Sequence, residues 1–335
     1  MLNYFLSPLI PALLSKHLFI KHFLSVLILL SFIACQNKQP QLSSEDLAQQ
    51  DKQALHIGIL PVMECLPLYY AQQMGIFNTE GVEIHLQTYL SQMDCDTAIL
   101  HGQAEIAYSD IARVLLMPED IRLLSSIGGQ MSLITAKSKR IRQLKNLDER
   151  MIAIDRLSQS DYWSDELMKQ ANLDLSAIYR PQINDIQLRT SMLTEQLVDA
   201  ALLPEPYATM AVRKGNKRLF SSNDTTLSFS CFITSDSVLT DTMRVSQIHK
   251  FFAAYNKAVT QLNSDLRDKD SLHTLLHRYY NVPTEMTDFI QIPSFRKAYI
   301  PSTDDINNVA LWLKSREYNI KSQRTDSLCS HLFVQ

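Results

Sequence analysis

Apolar positions along the chain change period often enough to outline its elements. An apolar run over 56–60 ends at Pro61, as a strand buried on both faces does. Leu66, Leu68, Tyr69, Ala71 and Met74 then share one helical face. Pro67 suits the first turn, where its missing N–H would lack a partner anyway, and Gly75 supplies a left-handed cap. After a turn over 78–81, Val82, Ile84, Leu86 and Thr88 alternate with polar residues, predicting a half-buried strand. Residues 58–87 thus form one βαβ unit.

The rhythm continues. Asp94 or Asp96 is the predicted cap of a helix running to Leu100 and ended by Gly102. A third strand covers 105–108, and Ser109 or Asp110 caps a helix over 111–117. Strands over 121–127 and 132–136 flank Gly128-Gly129. A short buried strand over 151–155 leads to Ser158-Gln159-Ser160-Asp161, which opens a helix over 162–171 and leaves free N–H groups and a partial positive charge at a loop. Strands over 178–181 and 198–203 enclose a helix over 186–196. Two strand-like stretches, 218–220 and 227–234, come next. Four helical patterns follow, over 242–262, 271–280, 283–290 and 302–314. The first is strongly amphipathic, with Val245, Ile248, Phe251, Phe252, Tyr255, Ala258, Val259 and Leu262 on one stripe.

The N-terminal pattern differs in kind. Lys16 and Lys21 precede an apolar run over 23–34 of signal-peptide length, too short to span a bilayer as a helix. It ends in Phe32-Ile33-Ala34-Cys35, which resembles a bacterial lipobox with Phe where Leu is usual. The expectation is a lipoprotein signal peptide over 1–34, a lipidated Cys35 and a flexible tether over 35–53 rich in Gln and Ser. The alternative is a buried cysteine in an uncleaved anchor helix.

Composition narrows the function. With 335 residues and 46% hydrophobic content, the chain can bury a large core and its length suits two lobes. Its formal net charge is −3, and the first 34 residues hold two lysines and no acid, so the remainder is more acidic still and lacks the footprint of a nucleic-acid binder. No G-x-G-x-x-G, Walker or G-x-S-x-G pattern occurs, and His273 and His277 lack the neighbouring glutamate of a zinc hydrolase.

Two motifs carry a resemblance. Leu66 to Ala71 with Gly75 to Gly81 resembles the "LPLYVA" and "GIF…EG" opening of the periplasmic solute-binding proteins of ABC importers, in the branch of sulfonate, nitrate, taurine and thiamine-pyrimidine binders. "VDAALLPEPY", Val198 to Tyr207, resembles that family's "DA…EP" signature, and 98–110 and 295–313 are similar to further stretches. The resemblance implies an α/β, two-lobed periplasmic-binding-protein type 2 fold, with a doubly wound mixed sheet in each lobe and a ligand cleft between them. Lobe 1 is expected from 54–136 and the return over 231–335, with lobe 2 inserted as 137–230. It further implies a monomeric, non-enzymatic, lipid-anchored protein of the bacterial cell envelope, facing the periplasm, that delivers a small molecule to ABC permease and ATPase subunits, with no cofactor and no nucleic acid. Two other readings stay open: a thiamine-pyrimidine-synthase-like enzyme, although this chain lacks a cysteine-rich motif, and a ligand-sensing lipoprotein without transport.

The ligand-facing candidates are Glu64, Cys65, Ser109, Asp110, Ser158, Gln159, Tyr162, Trp163, Glu205 and Tyr207. This set is acidic and aromatic, which suits a small planar nitrogen heterocycle, such as a thiamine-related pyrimidine, better than a sulfonate or nitrate anion. The plainer alternatives are that Trp163 lies on the buried side of its helix, that Glu205 caps the helix after it, and that Ser109 and Asp110 are caps. Met63-Glu64-Cys65 and Met93-Asp94-Cys95 repeat one context at the ends of neighbouring strands, so their thiols could form a disulfide, a soft-metal site or ordinary packing.

Overall fold

The computed structural model describes residues 53–222, 227–265, 269–320 and 324–333. The expected signal peptide, Cys35 and nearly all of the tether lie outside the described residues. Gln53–Gln335 forms one compact unit built on two sheets.

The first sheet contains β1 (Leu55–Ile59), β2 (Ile84–Thr88), β3 (Ile106–Asp110), β4 (Ile121–Gly128) and β9 (Ser230–Ser235), in the order β2-β1-β3-β9-β4. β1 lies parallel to β2 and β3, as the opening βαβ pattern requires, whereas β9 inserts antiparallel between β3 and β4. The second sheet contains β5 (Ser132–Thr135), β6 (Ile152–Ala153), β7 (Ala200–Leu203) and β8 (Lys217–Ser221), in the order β6-β7-β5-β8. The chain is therefore two-lobed and mixed α/β.

The apolar stripe of Thr242–Asp265 is buried as its period predicts: Ile248, Phe251, Tyr255 and Ala258 are fully enclosed beside Phe232 of β9. Burial of each such large side chain contributes about 1.5–3 kcal/mol. Trp312, Leu313 and Val309 of Thr303–Ser315 cover the opposite face of the same sheet. Leu66–Gln73 starts with Pro67 in its first turn, and Gly75 at φ 65° makes the left-handed exit.

Four local expectations are corrected. Ser91, rather than Asp94 or Asp96, caps Gln92–Leu100, because its hydroxyl reaches the Asp94 N–H; Asp96 turns inward instead. Residues 178–181 form only isolated bridges beside β6, at Tyr179 and Gln182, since Pro181 offers no N–H to continue a ladder. β5, expected in the first lobe, pairs with β7 and β8, so the crossing falls at 129–131, ahead of the 136/137 boundary. The return strand starts at Ser230 rather than 227, and the chain leaves the second sheet after Ser221. One pairing has no signal in the periodicity. Leu123 N–H of β4 donates to Leu328 O and Ser330 N–H donates to Leu123 O, which adds the C-terminal segment to the free edge of the first sheet.

Candidate ligand site

The loops after β1 and β3 meet the second lobe at the strand ends, and the contact is built from buried polar groups. Asp110 ends β3 and is 2% exposed. Its side chain does not cap the helix Ile111–Val114 that follows it. Instead Oδ2 accepts the Gln159 N–H of the other lobe at 2.9 Å, and Oδ1 accepts the Ser230 hydroxyl at 3.0 Å. With its amide oriented to suit both partners, Gln92 donates to Asp110 Oδ2 and accepts the Asp110 N–H. Gln159 is the first residue of Gln159–Gln170, so the free N–H groups expected there bind a carboxyl of the facing lobe. Ser158 is consumed as the cap of that helix, accepting the Ser160 N–H.

Arg113 ties the lobes together beside this point. It donates to Asp96 at 3.1 Å in the first lobe and to Asp155 at 2.9 Å in the second. Ser109 supports the pair by donating to Asp96 Oδ1. A second latch lies along the same helix. Asp165, 1% exposed, accepts Trp312 Nε1 at 2.8 Å and is paired with Arg316 and Arg180. Tyr162 packs against Phe229 and Trp312 on the same side.

Glu64 is the polar centre of the cleft. Oε1 accepts the Gln130 N–H of the interlobe crossing at 2.8 Å, while the buried Oε2 has no partner among the described residues. Burial pushes the Glu64 carboxyl up to about 7, against its backbone hydrogen bonds, and burial likewise pushes Asp110 up to about 7. Arg189 lines the same slot; its Nη1 donates to Ile183 O, and its buried Nε has no partner among the described residues. The slot has a volume of about 30 Å³ and is lined by side chains of both lobes. A larger cavity of about 260 Å³ opens on its flank, walled by the crossing 127–130 and by 293–299.

The remaining candidates fall elsewhere. Trp163 is packed with Leu167, Met168 and Ile154 in the core of the second lobe, so its plainer reading holds. Tyr162 serves the latch, and Tyr207 is buried in the main core. Glu205 pairs with Arg218 and accepts the Thr209 N–H, capping Tyr207–Arg213 through its side chain. Cys65 and Cys95 are both unpaired thiols with no exposed surface, and burial raises the pKa of each. Among the described residues no group of three His, Cys, Asp or Glu side chains could hold a metal. Gln92, Gln130, Arg113 and Arg189 were not on the sequence list; only the cleft-facing ends of their elements hint at them.

Gly129 fixes the crossing. It has φ +129°, and a Cβ there would lie 2.9 Å from Ser230 Oγ and 3.0 Å from Gln159 Oε1. Gly129→Ala should cost at least about 1–3 kcal/mol through strain and the displaced Gln159. Denaturant unfolding measures this; an unchanged midpoint would contradict it.

A family model described as "NMT1/THI5 like" matches residues 63–265. A 71-residue stretch is 32% identical to the nitrate import ATP-binding protein NrtC of Synechococcus elongatus; the match spans 21% of this chain and 11% of that protein. Among solved structures, the ligand binding component of an ABC-type import system from Staphylococcus aureus, with zinc bound, superposes with a TM-score of 0.69 at 14% identity, covering 84% of this chain and 98% of that one. The periplasmic aliphatic sulphonate binding protein SsuA from Escherichia coli gives 0.66 at 14% identity, covering 83% and 92%. The periplasmic nitrate-binding protein NrtA from Synechocystis PCC 6803 gives 0.69 at 12% identity, covering 82% and 84%. These likenesses establish the fold.

Proposed function

This chain belongs to the NMT1/THI5-like family, and on that footing we propose that it is a solute-binding protein which captures a small planar nitrogen heterocycle between its lobes and delivers it to an ABC permease. It makes and breaks no bond. Cys35 anchors it as a monomeric lipoprotein in the bacterial envelope, where the lobes open and close around the ligand.

The observation that carries the ligand class is that Glu64 Oε2 and Arg189 Nε, on two side chains lining one slot, both lack a partner among the described residues. A buried carboxyl wants a donor and a guanidinium an acceptor. An aminopyrimidine offers both on one edge, whereas sulfonate or nitrate offers acceptors only and would face Glu64 and Asp110 together. The slot holds no such ring while closed, so the ligand enters by parting the Asp110–Gln159 and Arg113–Asp155 contacts. Stacking from Trp163 is not part of this reading.

Calorimetry with 4-amino-2-methylpyrimidine, ethanesulfonate and nitrate tests it. The pyrimidine should bind, and Glu64→Gln should weaken it by about 1–3 kcal/mol through loss of a charge-assisted hydrogen bond. Glu205→Gln should mainly reduce stability. Tight sulfonate binding with Glu64→Gln neutral would replace the heterocycle by an anion held on Arg189.

A further inference from the structure

Three donors from three elements converge on the carboxyl of Asp110. The Gln159 N–H at the start of Gln159–Gln170 comes from the second lobe, the Gln92 amide from Gln92–Leu100, and the Ser230 hydroxyl from β9. Ser230 also bonds the Tyr108 hydroxyl at 2.7 Å, so a short relay backs this donor. Asp110 and the three donor residues are each at most 5% exposed. Buried N–H and O–H groups meeting at one point, one of them at a helix N-terminus, form the arrangement that holds a small oxyanion. Here the anion is the chain's own. A second sign of anion affinity lies in the same slot, where Arg189, 3% exposed, keeps an Nε without a partner among the described residues.

We propose that Asp110 sets the solute class: its carboxyl fills an oxyanion site between the lobes, and the chain thereby excludes small planar anions, such as nitrate or a carboxylate, that would otherwise bind there. The inference deepens the solute-binding reading above and rests on it. Two effects exclude the anion. The donors are already used, and a free anion must displace a carboxyl that is tethered to the site and so competes at a high effective concentration. An anion brought beside an ionised Asp110 is also repelled. The same contact lets the lobes close on no solute, because the Asp110 to Gln159 bond spans them as a bound anion would. Without the carboxyl, three donors are left buried and unpaired, and a free anion of matching shape remedies this.

Asp110→Ala tests this, because it keeps Cβ and removes only the carboxyl group, which formate matches in shape and nitrate resembles. Calorimetry at pH 6, where Glu64 with its value of about 7 is mainly neutral, should show both anions binding the variant at least about tenfold tighter than the parent protein. Formate should also raise the variant's denaturant midpoint and leave the parent's unchanged. Asp110→Asn, whose amide still occupies the site, should gain neither effect. A merely structural Asp110 predicts a weakened protein that formate does not restore. If Asp110→Ala folds poorly, refolding in sodium formate against sodium chloride carries the test, and recovery in formate alone supports the proposal. It is overturned if the anions bind the parent as tightly as the variant, if they neither bind nor stabilise the variant, if chloride restores it as well as formate, or if Asp110→Asn gains as much. Binding of 4-amino-2-methylpyrimidine to the parent protein tests the heterocycle reading separately, since it does not depend on how the variant takes formate.

Discussion

Raising the pH from about 4 to about 8 should destabilise this protein, the reverse of the usual carboxylate trend. Glu64 and Asp110 each have a folded-state pKa near 7, well above the 4.5 and 3.8 of the free groups, and Asp96 is raised to about 6. Burial is the first cause for all three. The folded state therefore holds more protons than the unfolded chain across this interval. The stabilisation is fully present below the unfolded pKa values and is lost as pH rises through the folded ones. Each cleft carboxyl carries on the order of 3 kcal/mol. The Arg113 charge tempers the slope by lowering Asp96 and Asp110, whereas Asp155, which raises both, and Glu205, which raises Glu64, steepen it. Denaturant midpoints between pH 4.5 and 8.5 should fall with pH, and the profile should flatten in the Glu64→Gln, Asp110→Asn double variant. A midpoint that climbs with pH, or one indifferent to both substitutions, would defeat the assignment.

Asp165→Ala should be the most damaging single substitution at the lobe contact. It removes the acceptor of Trp312 Nε1 and the nearest carboxylate of two guanidinium groups, leaving Arg316 with Asp161 at 3.5 Å and Arg180 with Ser164 Oγ and Leu175 O. Breaking one partner out of a buried ion pair costs about 3–5 kcal/mol, because the charges left behind stay desolvated. Asp165→Asn keeps the shape and one acceptor and should cost less. Trp312→Phe keeps the ring against Tyr162 and should lose about 1–2 kcal/mol with the indole donor. Thermal and denaturant unfolding would rank the three. Equal stability of Asp165→Ala and the parent protein would show that the latch contributes nothing.

The opening βαβ unit and the long amphipathic helix were legible because local chemistry decides them: Pro67 and Gly75 mark helix ends, and the stripe from Ile248 to Leu262 has a single buried face. What escaped was decided by distant partners. β5 reads as any apolar strand, and only its pairing with β7 and β8 assigns it to the second sheet. Asp110 looks like a cap because Asp before a helix usually is one; its actual partner, the Gln159 N–H, lies 49 residues away. Trp163 and Glu205 had two readings each in the sequence, because periodicity shows neither the second-lobe core around Trp163 nor the Arg218 that pairs with Glu205. Arg189 could not be found by pattern, since a single arginine on a helix carries no mark of facing a cleft.

The placement of β4 has a consequence for how the molecule is made. None of the strands that precede β4 is its neighbour; it pairs with β9, with the Leu328 to Ser330 segment and, at Ser126, with Tyr299. A chain emerging N-terminus first must carry the apolar run Ile121, Leu123, Leu124 and Ile127 as an open edge until Ser230–Ser235 has followed it out. The second sheet draws only on 132–221 and can close within that interval. The lobe begun first is thus finished last, and β4 is the stretch that a chaperone guarding the nascent chain would have most reason to cover.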